Sequence, residues 1–183
     1  MKSDYHIDRV TKSDAADLLL RFHYLKDISK TFKSGYNYGL YKNNQFCPLN
    51  IGGIQGVCIF TGLPVPEIAK GAFGLERNEQ QGLFELSRLC IHPNTQQEEY
   101  NITSWFVSRA IKRLRNETEV RAIISYADSD HHGGTIYRAC NLGTAVYQIQ
   151  KKTFTSTMVP NIRGVKLEMP KVNGKIDHVN IVM

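Results

Sequence analysis

Residues 83–147, LFELSRLCIHPNTQQEEYNITSWFVSRAIKRLRNETEVRAIISYADSDHHGGTIYRACNLGTAVY, decide the fold. The first ten alternate as a strand does: Phe84, Leu86, Arg88, Cys90 and His92 share one face, and Glu85, Ser87, Leu89 and Ile91 the other. Pro93 ends that strand, and a polar loop is expected over 94–100. Ile102, Phe106, Ala110 and Leu114 then recur every four residues, backed by Val107 and Ile111, which predicts a helix over 102–115. Arg109, Lys112, Arg113 and Arg115 decorate the rest of its surface. Residues 121–127 (RAIISYA) are apolar on both faces and read as a central strand. Thr135 caps a short helix over 136–141, which Asn141-Leu142-Gly143 terminates, and 144–149 (TAVYQI) form another strand. Strands joined by crossover helices make this an α/β chain. An arginine inside an apolar strand is costly unless an anion meets it, and a carboxylate at a strand mouth is where α/β folds place chemistry.

Outward from this stretch, residues 5–10 (YHIDRV) read as a first strand. Ser13 is expected to cap a helix over about 14–25, with Leu18, Leu19, Phe22 and Leu25 as its apolar stripe. Residues 36–41 (YNYGLY) and 52–60 (GGIQGVCIF) form two strands of a long hairpin, the second interrupted by glycines that mark a bulge. Residues 61–82, with two prolines and four glycines, are expected to form a long loop. The tail, 152–183, alternates β-formers with Pro160, Gly164, Pro170 and Gly174 and reads as a hairpin extension. The expected order is β-α-β-β-β-α-β-α-β in one domain over 1–183.

The chain has 183 residues, enough for one packed domain. Lys and Arg number 23 against 17 Asp and Glu, a net charge of +6 that suits an anionic partner such as nucleic acid or a phosphorylated cofactor. Mean hydropathy is −0.33, and no apolar run is long enough to span a bilayer, so no membrane partner is expected. The start, MKSDYHIDRV, lacks the apolar core of a signal peptide. Cys47, Cys58, Cys90 and Cys140 are scattered and read as reduced thiols. A cytoplasmic location is expected.

The element order is similar to the GNAT acyltransferase fold, a mixed sheet flanked by helices. In that fold the third hairpin-side strand, the helix after it and the next strand grip a coenzyme, and 134–143 (GTIYRACNLG) look like the small helix and turn that follow. A closer resemblance rests on four motifs in order: His23-Tyr24 after a Leu-rich helix, Leu86-Ser87-Arg88-Leu89, Thr103-Ser104-Trp105-Phe106 opening a helix, and Ser125-Tyr126-Ala127-Asp128. Together these resemble the Mom family of phage DNA-modification proteins. Those GNAT-related proteins convert adenine in DNA to an N6-carbamoylmethyl form that protects the DNA from restriction. The resemblance implies a DNA-modifying transferase acting on adenine N6 in double-stranded DNA, in the host cytoplasm if phage-encoded. It leaves the donor open: acetyl-CoA or another acyl or glycyl donor, with iron or another metal as a further requirement to be decided. The sequence departs from ordinary GNAT enzymes in one respect. Their Arg/Gln-x-x-Gly-x-Gly/Ala turn is absent, and PNTQQEEYNITS, with Glu98 and Glu99, stands in its place.

Chemistry sorts the candidates. The Arg88 fork suits a phosphate or carboxylate, against the plainer reading of an ion pair with Glu85 or Asp128. Thr103 and Ser104 at a helix start suit an anionic cofactor, against a plain N-cap. Asp128 is a base toward an amine if burial raises its pKa, with Asp130 competing for the role; Tyr126 is an acid or a stacking platform. His23 is either part of the site or a cap at a helix end. His23, Tyr24, Lys26, Tyr36 and Tyr38 are the substrate-binding candidates. Lys26, Lys30 and Lys33 lie beside Phe32, Tyr36 and Tyr38, and cations among aromatics suit phosphates and unstacked bases. An adenine amine inside a duplex has to be flipped out to react, onto a wall such as Tyr24, Tyr36, Tyr38 or Tyr126. Asp128, His131 and His132 are the metal candidates. Two rival readings use the same residues: an acyl-CoA-dependent N-acyltransferase acting on a small amine or a protein, and a non-catalytic nucleic-acid-binding module. The residues leave the oligomeric state open.

Overall fold

The computed structural model describes residues 4–23, 32–43, 53–127 and 178–182. Along the chain these form β1 (Tyr5–Arg9), α1 (Lys12–Phe22), β2 (Tyr36–Lys42), β3 (Ile54–Gly62), α2 (Pro66–Phe73), a 3₁₀ turn (Arg77–Glu79), β4 (Leu83–Ile91), α3 (Pro93–Glu98), α4 (Ile102–Glu117), β5 (Ala122–Ala127) and β6 (His178–Val182). The fold is a mixed sheet flanked by helices. Its contacts divide into two compact units, Met1–Thr61 with Leu86–Thr118, and Gly62–Glu85 with Glu119–Met183.

In the first unit β1, β2 and β3 form an antiparallel meander, with Ile7 opposite Leu40 and Tyr38 opposite Cys58. A register shift at Leu40/Tyr41, where Leu40 faces Gly56 and Tyr41 faces Ile54, leaves Gln55 as the extra residue of a bulge on β3, the strand whose glycines led one to expect it. Leu86–Ile91 of β4 run antiparallel to β3. His92 N–H donates to the Gln55 carbonyl (2.7 Å), and the Ser87 hydroxyl donates to the Ile59 carbonyl (3.2 Å). Gly56 is where this approach is tightest: a Cβ there would lie 3.1 Å from the Cys90 carbonyl oxygen. Ile54 through Thr61 are all buried, as a strand covered on both faces must be. Val57 and Ile59 pack with Ala15, Leu18 and Leu19 of α1 in a core shared with Val10, Phe32, Ile54 and Cys90. Phe60, on the other face, meets Tyr38 edge-on. The stripe of α4 buries as its spacing predicts: Ile102, Phe106, Val107, Ala110, Ile111 and Leu114.

In the second unit Leu83–Glu85 of β4 pair in parallel with Ala122–Ile124 of β5, and the ladder stops at Glu85 and Ile124. On its other edge β5 pairs antiparallel with β6 along its length, Ile123 opposite Val182 through Ala127 opposite His178. Leu83 and Ala122 pack with Ala69, Leu63, Phe73 and Leu75. Gly82 enters β4 with φ +74°, and its lack of a side chain admits Arg121, whose Nη1 donates to the Glu79 carbonyl at 2.7 Å.

Three expectations need correction. Residues 61–82 are not one loop, because Pro66 starts α2 and Gly74, at φ +68°, closes it. Residues 93–98 form a helix; polar throughout, it carries no apolar stripe to read. It is fixed instead by His92 Nδ1 accepting from Asn94 N–H and by the buried Thr95 hydroxyl donating to Gln55 Oε1 at 2.7 Å. Helix α1 starts earlier than expected and is capped by Thr11, not Ser13: Thr11 Oγ1 accepts from Asp14 N–H. On the edge of β5 away from β4 the strand among the described residues is His178–Val182, within the tail expected to form a hairpin extension. The helix expected at 136–141, the strand at 144–149 and most of the hairpin extension at 152–183 lie outside the described residues.

Candidate functional site

Strand alternation puts Arg88 on the same face of β4 as Leu86 and Cys90, both buried. Its guanidinium is half-buried, and Nη1 donates to the carbonyl of Ser87 at 2.5 Å. Its Nε–H is sequestered from solvent and has no hydrogen-bond partner. Among the described residues no carboxylate pairs with it, so an internal ion pair with Glu85 is not formed. A buried donor on a cation is costly to leave unsatisfied, by about 1–3 kcal/mol or more. A ligand group that supplies the missing acceptor would remove that cost.

His23 stands beside this cation. It ends α1, its backbone N–H donating to the Leu19 carbonyl at 2.9 Å. Its side chain is 6% exposed, and burial, reinforced by the Arg88 charge, pushes its pKa from 6.5 down to about 4. The imidazole is therefore neutral at physiological pH and supplies no positive charge to the end of α1. His23 is thus the C-cap of α1 through its backbone N–H, with a side chain that adds no charge to the helix end. A guanidinium with an unused N–H is the donor that suits an anionic substrate group, and the neutral imidazole adds no competing charge there.

The start of α4 lies in the same unit. Asn101, the N-cap, sits at φ 57° and ψ 21°, and its side chain makes no capping bond. Thr103 and Ser104 fall in the first turn, and the Ser104 hydroxyl donates back to the Asn101 carbonyl at 3.1 Å. The Ser104 hydroxyl proton is thus spent within the turn, and what this end offers an anion is backbone N–H dipole. The segment before it is α3 with Glu98 and Glu99, and Lys42 partly offsets the first at 3.6 Å.

Tyr36 and Tyr38 belong elsewhere. The guanidinium of Arg9 lies 4.6 Å from the Tyr36 ring centre and 5.0 Å from that of Tyr38, and Arg9 also pairs with Glu117. Tyr38 is fully buried, and burial raises its hydroxyl pKa. A ring with no exposed face cannot stack on a flipped base, so the structure places Tyr38 in the core. Phe32 is likewise core, with Lys12 Nζ 5.5 Å from its ring centre.

In the second unit, β5 carries the start of the fourth motif. Ser125 is 1% exposed, and its hydroxyl has no hydrogen-bond partner. Ser125 opens the fourth motif, and a hydroxyl in a strand otherwise apolar on both faces is the signal in the sequence that marks it. Two of the side-chain atoms buried without a hydrogen bond, Arg88 Nε and Ser125 Oγ, thus fall within the motifs. Tyr126 occupies β5 opposite Val179. Tyr24, Lys26, Asp128, His131 and His132 lie outside the described residues. Among the described residues no cluster of three or more His, Cys, Asp or Glu could hold a metal, and no helix is long and apolar enough to cross a membrane.

Comparison with known proteins gives a family and a fold. A model of the Mom protein family matches residues 4–174. No curated protein matches the chain. Among solved structures the chain is similar to a Bacillus subtilis acetyltransferase in complex with CoA, at 13% identity and a TM-score of 0.52, covering 97% of this chain and 96% of that one. It is similar to an IAA acetyltransferase from Bacillus cereus at 13% identity and a TM-score of 0.54, covering 98% of each. A GCN5-related N-acetyltransferase from Kribbella flavida gives 10% identity and a TM-score of 0.54, covering 99% and 98%. At these identities the likeness is one of fold: this is the GNAT fold.

Proposed function

The chain belongs to the Mom protein family, and from that premise we propose that it is a transferase that modifies the N6 amine of adenine in double-stranded DNA, carbamoylmethylation being the type of product. The observation that carries this reading is the Arg88 guanidinium, half-buried in β4 with an unsatisfied Nε–H and a neutral His23 beside it. Both residues stand in motifs that carry the family resemblance.

Each residue has a task in this reaction. The adenine amine nitrogen forms the new N–C bond, the donor's leaving group departs with the electron pair of the bond it loses, and one amine proton is taken up. For a carbamoylmethyl product the carbon that bonds N6 is the donor's methylene, which carries the leaving group, whereas a donor that hands over its carbonyl carbon gives an N6-acyl adenine; in either case Arg88 holds the donor's anionic group or a phosphate through its Nε–H. The backbone of Thr103 and Ser104 at the start of α4 favours a second negative group. His23 stays a neutral ring near the Arg88 charge, so it does not compete for the anionic group. Asp128, at the family motif's last position, takes the amine proton, with Tyr126 beside it in sequence as its partner in proton handling. Acyl-CoA is the donor class that the GNAT fold favours; the glycine-free turn before α4 favours a donor held by fewer phosphate contacts.

The test is protection. Plasmid DNA from cells expressing the chain is challenged with restriction nucleases whose sites contain adenine. Resistance that disappears with Arg88→Gln supports the reading. Full digestion, with soluble folded protein present, overturns it.

A further inference from the structure

We propose that the outward face of α4 is the surface along which the phosphate backbone of a DNA duplex lies. This rests on the functional reading only in taking duplex DNA as the substrate. The argument is one of charge and pairing. Helix α4 has no carboxylate before Glu117, its last residue, yet it exposes Arg109, Lys112, Arg113 and Arg115. Arg113 is neutralised, by Glu117 at 3.1 Å and by Asp8 at 3.2 Å. The other three have no carboxylate partner among the described residues. They are spaced three residues apart, so they wind along one side of the helix over roughly 9 Å of axis. That side is opposite the stripe of Phe106, Ala110 and Leu114 that faces the core.

Two aromatic residues extend the strip toward the start of α4. Arg109 lies 5.5 Å from the ring centre of Trp105, one turn earlier, which orders the guanidinium without neutralising it. Tyr100, just before the helix, is 86% exposed. A solvated charged helix face ordinarily mixes signs to gain pairs between residues four apart. One sign without pairs, ordered on an aromatic and running toward the anion-favouring helix start, is complementary to a polyanion. The spacing suits successive phosphates rather than base edges, so the contacts orient the duplex and carry no sequence preference.

The experiment measures binding of the full chain to a fluorescent duplex by anisotropy across a salt series. Each phosphate contact contributes about 0.9 to the slope of log K against log salt. Replacing three cations (Arg109→Gln, Lys112→Gln, Arg115→Gln) should therefore lower the slope by about 2.7 and weaken binding about a hundredfold near 0.15 M salt. The control replaces Lys70→Gln and Arg77→Gln, exposed cations of the other unit, and should leave the slope within about one unit. Thermal unfolding of each variant checks that the fold is kept. An unchanged slope in the triple variant overturns the proposal, as does an equal loss per charge in the control. Preference of the wild type for RNA or for an acidic polypeptide over duplex DNA also overturns it. Unmodified adenine in cells alongside the expected slope change would sink the chemistry and leave this surface standing.

Discussion

Replacing His23 by glutamine should flatten the acid side of the stability profile. In the folded chain burial, and then the Arg88 charge, hold the His23 pKa near 4 against an ordinary 6.5. Above pH 6.5 the ring is neutral in both states and contributes no pH dependence. Below it the unfolded chain binds a proton that the folded chain refuses, so stability falls as pH falls, and the loss is complete near pH 4. At about 1.4 kcal/mol per pH unit the full interval is worth about 3 kcal/mol, and the part between pH 6.5 and 5 about 2 kcal/mol. Urea unfolding at pH 7.5 and 5.0 measures it, the wild type against His23→Gln, so that other titrating groups cancel. The wild type should lose about 2 kcal/mol more than the variant. Arg88→Met should keep most of that difference, because burial is the larger cause. Parallel losses in wild type and His23→Gln would refute the claim that the ring is buried neutral beside a cation.

Other consequences are local. Arg88→Lys removes the forked donor and keeps the charge, so modification should drop about 10–100-fold while the melting transition stays within about 1 kcal/mol, read by nucleoside yield and thermal unfolding on one preparation. Thr95→Val takes the donor from Gln55 Oε1, a buried bond of 2.7 Å, and should cost about 1–3 kcal/mol in chemical denaturation, whereas Thr95→Ser should cost less. Gly35→Ala would bring a Cβ to 2.2 Å from the Phe60 carbonyl oxygen and should destabilise by about 1–3 kcal/mol in the same assay.

How far the sequence could be read depended on where apolar burial fixes geometry. The stripe from Ile102 to Leu114, the two-faced strand around Ile123 and the buried run Ile54–Thr61 are driven by area removed from water, and their periodicity survives in the fold. Helix α3 was invisible because a polar hexapeptide held by Pro93, a His92 cap and one Thr95–Gln55 bond has no period to detect. The pairing of β6 with β5 is a contact between residues about fifty apart, which local pattern does not encode. Arg88 was legible as a cation in an apolar strand; its missing acceptor was not, because satisfaction is a property of neighbours brought together by the fold. Tyr38 failed as a candidate for the converse reason. Its place beside lysines in the sequence suggested a binding wall, but β2 turns it inward under Arg9 and against Phe60.

The most direct measurement is mass spectrometry of nucleosides from plasmid DNA grown with the wild-type chain, with Arg88→Gln and with no protein. A new adenine nucleoside carrying an N6 substituent in the first sample alone is the expected result. Unaltered deoxyadenosine in all three, with wild-type protein soluble and folded, would contradict the assignment of Arg88 and His23 to adenine modification.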